Sequence, residues 1–132
     1  PMPLSNRVLL GLGSAIAVIL SLAILFVPTA FYAGYDIDVV GATNLLNELK
    51  APALVILALG MMQAFGAFQH QYHRLGIGAG LLLYLGFGLS RLIAMATDGP
   101  PSAALVAVAT TELVIGLLFA LSYWRLRPSS QG

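Results

Sequence analysis

The chain has no cysteine and little charge, and these two absences narrow what it can do. With 0 cysteines there is no disulfide framework, thiol nucleophile, iron-sulfur ligand or thiolate metal site, so a vitamin-K-reductase-like or disulfide-relay role is excluded. The redox compartment is left open by the same absence. Charged residues make up 8% of the sequence against 59% hydrophobic, and mean hydropathy is +0.93, well outside the range of a water-soluble domain. A formal net charge of +1, with its basic residues scattered, offers no nucleic-acid footprint. Also missing are a nucleophile with a placed base, a phosphate-cradling glycine loop and a haem axial pair in register, so neither an enzyme nor a bound cofactor is expected.

What is present is a set of long apolar runs, each about 20 residues and thus able to cross a hydrocarbon core of about 30 Å as a helix. Because the bilayer interior offers no water to backbone amides, and no period-two alternation points to a barrel, the runs read as helices. The expected fold is all-α: one integral membrane four-helix bundle occupying the whole chain. The first span runs from about Val8 to Val27 and stops at Pro28, which breaks the backbone ladder. Arg7 before an apolar run imitates a signal peptide, yet the run exceeds the usual h-region of about 7 to 15 residues and lacks an A-x-A site, so it reads as a retained helix. Thr29 to Lys50 is the longest connection, with a second half from Thr43 suited to a helix. The second span covers about Ala51 to Phe68, with Pro52 either in its first turn or kinking a longer helix from near Thr43. Gln69 to Arg74 forms a polar turn, the third span runs from about Leu75 to Thr97, Asp98 to Pro101 is a breaker loop, and the fourth span covers about Ala103 to Trp124.

Orientation follows from the basic residues. Arg7, Arg74, Arg125 and Arg127 fall on one side of an even number of crossings, whereas Asp36, Asp38, Glu48 and Asp98 fall on the other beside Lys50. Short basic loops stay inside, so both termini are expected in the cytoplasm of a bacterial inner membrane. Tyr32, Tyr35, Tyr123 and Trp124 lie at the boundaries, where belt aromatics belong. Small-residue pairs at Gly11/Ala15, Gly60/Ala64 and Gly76/Gly80 mark close helix contacts. Met61, Met62, Phe65 and Phe68 read as packing or lipid contact.

Arg91 and Glu112 are the charges inside the apolar spans. An unpaired charge there costs roughly 2.5 to 3.5 kcal/mol on insertion scales, so each needs a partner or a task. With the third hairpin centred near Pro100, Arg91 lies level with about position 109 of the antiparallel helix, which puts Glu112 about 4.5 Å deeper. Their side chains lean toward each other, because each tilts toward its own helix N-terminus. A guanidinium fork can bridge two carboxylates, so an outer-half cluster of Arg91, Glu112 and Glu48 is expected, with Asn47, Lys50 and Asp98 as supporting polar groups. Its bland reading is an ion pair that sets helix register; its sharper reading is a ligand, ion or proton site. His70 and His73 have i, i+3 spacing but lack a third ligand on their side, so they are weak metal candidates beside the expectation of a solvated turn. Asp36 and Asp38 lack an EF-hand pattern and read as solvated.

The run Phe26 to Lys50 ending in NELK, Ser90-Arg91-Leu92, the DGPPS turn at Asp98 to Ser102, and Glu112-Leu113-Val114-Ile115-Gly116 together resemble a bacterial family of small four-helix membrane proteins. That family is catalogued as a domain of unknown function and is distantly similar in design to DoxX-like proteins. The resemblance covers nearly the whole chain. It implies the four-helix fold, its topology and an emphasis on Asn47, Glu48, Arg91, Asp98 and Glu112, but no reaction. Members of the family usually carry Arg where this chain has Lys50, and Pro52 is unusual at its place. The functional expectation is a non-enzymatic accessory or assembly subunit of a larger membrane complex, whose partners are membrane lipids and other subunits or its own copies. The alternative is a small oligomeric transporter or channel using Arg91, Glu112 and Glu48.

Overall fold

In a chain this apolar the helix is the backbone form that satisfies its own amides, and proline and glycine decide where each helix stops. A computed structural model describes residues 2–126; Arg127, counted above among the basic residues, lies outside the described residues. Helix α1 (Leu4–Phe26) begins straight after Pro3 and ends at Val27. Val27 leaves the helical region, at φ −134° and ψ 50°, because a following proline disfavours it. Pro28 then opens the short helix α2 (Pro28–Ala33), the position where its missing N–H costs nothing. In the loop beyond, Asp36 takes a positive φ of 61°, and the Asp38 carboxylate accepts the Val40 N–H at 3.0 Å.

The second span is α3 (Thr43–Lys50) followed by α4 (Ala53–Phe68). Ala51 and Pro52 between them keep right-handed helical backbone, so Pro52 kinks one long apolar segment that starts at Thr43. Its lack of an N–H frees the Glu48 carbonyl.

Three kinds of helix make up the third span. After a 3₁₀ turn (His70–Tyr72) comes α5 (His73–Gly80), then a π turn (Leu81–Leu85), then α6 (Gly86–Asp98). The π turn holds about one residue more than an α turn, so everything after it is rotated by about 100° relative to an unbroken α-helix. Gly99 ends α6 at φ 92° and ψ 172°, a region that is essentially glycine's alone. Helix α7 (Ala103–Arg125) is capped by Ser102, whose Oγ accepts the Leu105 N–H at 3.4 Å. Four segments are long and apolar enough to cross a membrane: Leu4–Phe26, Thr43–Phe68, His70–Asp98 and Ala103–Arg125. Each apolar run grows at its polar edges once turn residues such as Ser5, Asn6 and the 3₁₀ segment join the helices.

Packing is concentrated toward the end of the bundle that bears Arg7 and Arg74. Phe119, 0% exposed, lies on the backbone of Gly80, where a Cβ would fall 2.3 Å from its ring. The same ring stacks on Tyr84 with centroids 5.9 Å apart. Helices α4 and α5 touch backbone to backbone: a Cβ on Gly76 would meet the Met62 carbonyl at 2.9 Å. Gly60 sits equally close to Ala17 of α1, with a Cβ at 2.9 Å. The glycines of two expected contact pairs are therefore engaged inside the bundle. Gly11 and Ala15 are instead exposed, and nothing approaches Gly11. Met61, Phe65 and Phe68 are exposed as well, which places them toward lipid.

The opposite, acidic end is built differently. Gly88 is the buried residue of α6, and α7 buries nothing before Ala109. Helix α6 packs chiefly against α7 and the π turn rather than against α1 or α4. At that end α1 meets α2 and α3, and Val39 of the connection is 0% exposed.

Candidate functional site

The π turn and the α6–α7 hairpin deliver the charged pair. Gly88 faces Leu113 and Gly116 faces the Leu85 backbone, where a Cβ would lie 2.7 Å from the Leu85 nitrogen. These contacts draw the two helices together and bring the side chains one turn farther out within reach of each other. Arg91 Nε donates to Glu112 Oε1 in an ion pair. Its Nη groups have no partner among the described residues. The Glu112 side chain is 14% exposed and that of Arg91 33%, so the carboxylate is the more enclosed partner.

Tyr32 of α2 comes within electrostatic range of the guanidinium. Burial pushes the Tyr32 phenol above its ordinary value, and the positive charge of Arg91 pulls the other way. Phe31 meets the rings of Tyr32 and Tyr35 edge-on, at 5.0 and 5.3 Å. The boundary aromatics of the connection thus form one cluster near the pair.

The remaining expected members stand apart. Glu48 and Asn47 are exposed on α3, Lys50 is half-buried, and Asp98 is exposed at the end of α6. Among the described residues no ion pair joins Glu48 to Arg91, and α3 packs on α1 and α4. The structure brings Arg91 and Glu112 together without Glu48.

A second polar assembly lies at the basic end, and it corrects the reading of a solvated turn at His73, though not at His70. His70 is exposed, but His73 is 4% exposed. Its Nδ1 donates to the Gly66 carbonyl at 3.1 Å, which leaves Nε2 to accept from Asn6 Nδ2 at 3.2 Å. Arg7 Nε donates to the Ala67 carbonyl at 3.1 Å. The last carbonyls of α4, which have no partner within their own helix, are thereby satisfied from two other spans. No group of three or more metal-ligating side chains occurs among the described residues.

Midway along the bundle, two side chains converge on Gly13. The Tyr84 hydroxyl donates to the Gly13 carbonyl. Gln63 donates to its own helix at the Leu59 carbonyl, 3.1 Å away. Its Oε1 is buried without a conventional partner among the described residues. That oxygen lies so close to Gly13 that a Cβ there would sit 2.1 Å from it, the geometry of a weak Cα–H···O contact. Sequence reasoning passed over Asn6, Gln63 and Tyr84. Polar residues set among apolar neighbours were the available signal for the first two.

Taken together, four apolar spans and an ion pair between the last two define a small multi-pass membrane protein. Residues 5–123 match the family described as Domain of unknown function (DUF4345), and the chain belongs to that family. No match was found among curated proteins or among solved structures.

Proposed function

We infer that the chain is a non-enzymatic membrane protein acting by association, as an accessory or assembly subunit of a larger complex in a bacterial inner membrane, with both termini cytoplasmic. The observation that carries this reading is the bare outer half of the α6–α7 hairpin. It holds a charge pair whose arginine is one-third exposed, while Gly88 is the buried residue of α6. Charge at membrane depth needs cover from protein or water. The uncovered side of α6 carries Gly86, Ser90 and Ala94, all exposed and spaced four apart, a surface that admits a partner helix closely. A photoactivatable residue at Ser90, irradiated in native membranes, tests it. Crosslinking to a distinct membrane protein or to a second copy is expected. Crosslinks to lipid alone, together with a lone monomer in mild detergent, overturn it.

A second reading has its own observation: the Nη groups of Arg91, without a partner among the described residues and within electrostatic range of Tyr32. On this reading an oligomer carries an ion, proton or small solute through the outer half, with Glu112 as the proton-coupled group. Proteoliposome flux that is unchanged in Glu112→Gln removes the coupling.

A further inference from the structure

On the lipid side of the basic end, α4, α5 and α7 enclose a groove of about 470 Å³, within the size range of small-molecule sites. Leu59, Met62, Leu75 and Leu82 line it, and Arg74 and Tyr123 stand at its mouth. The Arg74 guanidinium carbon lies 5.3 Å from the centre of the Tyr123 ring, so the ring holds the cation in place. Among the described residues Arg74 has no carboxylate partner. From Arg74 to Leu82 the third span advances about 12 Å along its axis, close to the roughly 15 Å of a single leaflet's hydrocarbon. The groove is thus apolar at depth and positively charged at the boundary.

We propose that this groove binds one anionic phospholipid of the leaflet at the basic end, with an acyl chain along Leu59, Met62 and Leu82 and the phosphate on Arg74. A cation without a counter-charge among the described residues, fixed at the headgroup level above an apolar channel, complements the two parts of such a lipid. Apart from Arg74 and the Tyr123 hydroxyl the lining side chains are apolar, which favours an acyl chain over a polar solute. The ring of Tyr123 fixes the arginine but leaves its donors to a phosphate.

Glycine 78 supplies the decisive variant. A Cβ there would meet only Tyr123, at 3.6 Å, so Gly78→Leu fills the groove without backbone strain. Native mass spectrometry of the detergent-purified protein, with phosphatidylglycerol and phosphatidylcholine of identical chains, reads retention of each. Phosphatidylglycerol should be retained about fivefold more than phosphatidylcholine, the effect of one basic residue at an anionic surface. Arg74→Gln should erase that preference, lowering phosphatidylglycerol retention more than phosphatidylcholine retention because phosphatidylcholine offsets its phosphate with its own cation, whereas Gly78→Leu should lower retention of both. Equal retention by the wild type, or a preference that survives Arg74→Gln, overturns the proposal. So does a Gly78→Leu protein that keeps its lipid, or one that instead dissociates from an oligomer, since the occupant would then be a helix.

Discussion

Cutting the Arg91–Glu112 pair tests whether the charges hold the hairpin. Breaking a fully buried pair by removing one partner costs about 3 to 5 kcal/mol in soluble proteins, but this pair is less enclosed, with Arg91 33% exposed. Interhelical polar contacts measured inside membranes average about 0.6 kcal/mol and reach about 1.7. The more buried partner sets the asymmetry. Arg91→Leu strands Glu112, which is only 14% exposed, and forces it to protonate or stay charged in hydrocarbon; a loss of about 2 kcal/mol follows. Glu112→Leu should cost less, because Arg91 can extend its long stem toward the acidic boundary. The double change Arg91→Leu with Glu112→Leu should recover much of the loss, giving a coupling of about 1 to 1.7 kcal/mol. Reversible unfolding in mixed micelles measures all four proteins. Additivity within about 0.5 kcal/mol, or a Glu112→Leu protein weaker than Arg91→Leu, refutes the reasoning.

Two further expectations concern packing and helix ends. Gly116→Ala puts a methyl 2.7 Å from the Leu85 nitrogen, backbone that cannot swing aside, and should destabilise by about 1 to 3 kcal/mol; Gly86→Ala, with nothing within 4 Å, should be neutral or gain up to about 1 kcal/mol, and melting temperatures of the two variants read the contrast. His73→Leu removes the partners of Gly66 and Asn6 and should cost about 1 to 3 kcal/mol, while His70→Leu at an exposed position should stay within about 0.5 kcal/mol; equal melting of both would mean that His73 does not cap α4.

Run length and the position of Pro100 were enough to place Arg91 and Glu112 at matching depth, because axial rise along a helix is fixed by geometry. Rotation about the axis is not. Leu81–Leu85, with no proline or glycine, gives no sign of a π turn, so the side of α6 that meets α7 was hidden. The same limit concealed His73. Its neighbours Gln71, Tyr72 and Arg74 are exposed, and only the docking of α5 on α4 through Gly66 and Gly76 turns its ring inward. Glu48 was expected beside Arg91 because both belong to the acidic end. Depth alone does not bring side chains together, and α3 follows α1 and α4.

The buried polar groups of the bundle and the arginine of the α6–α7 hairpin are used in opposite ways. At the basic end and the middle, Arg7, His73 and Tyr84 each donate to a backbone carbonyl of another span or of a distant helix end. His73 and Tyr84 are buried and fully engaged in holding helices together, and glycine contacts close the space around them, so no ligand can compete for them without unfolding the core; Arg7 is exposed and gives its Nε to the end of α4. Gln63 is the exception in that region, but Gly13 and Phe119 crowd its free oxygen. At the acidic end the arginine uses one nitrogen on Glu112, and its others have no partner among the described residues, within electrostatic range of Tyr32, on a hairpin that the rest of the described chain scarcely covers. A donor left free where the fold is also left open is available to something outside the chain. This difference, rather than the existence of the ion pair, is the physical reason to look for a partner or ligand at Arg91 and not at His73.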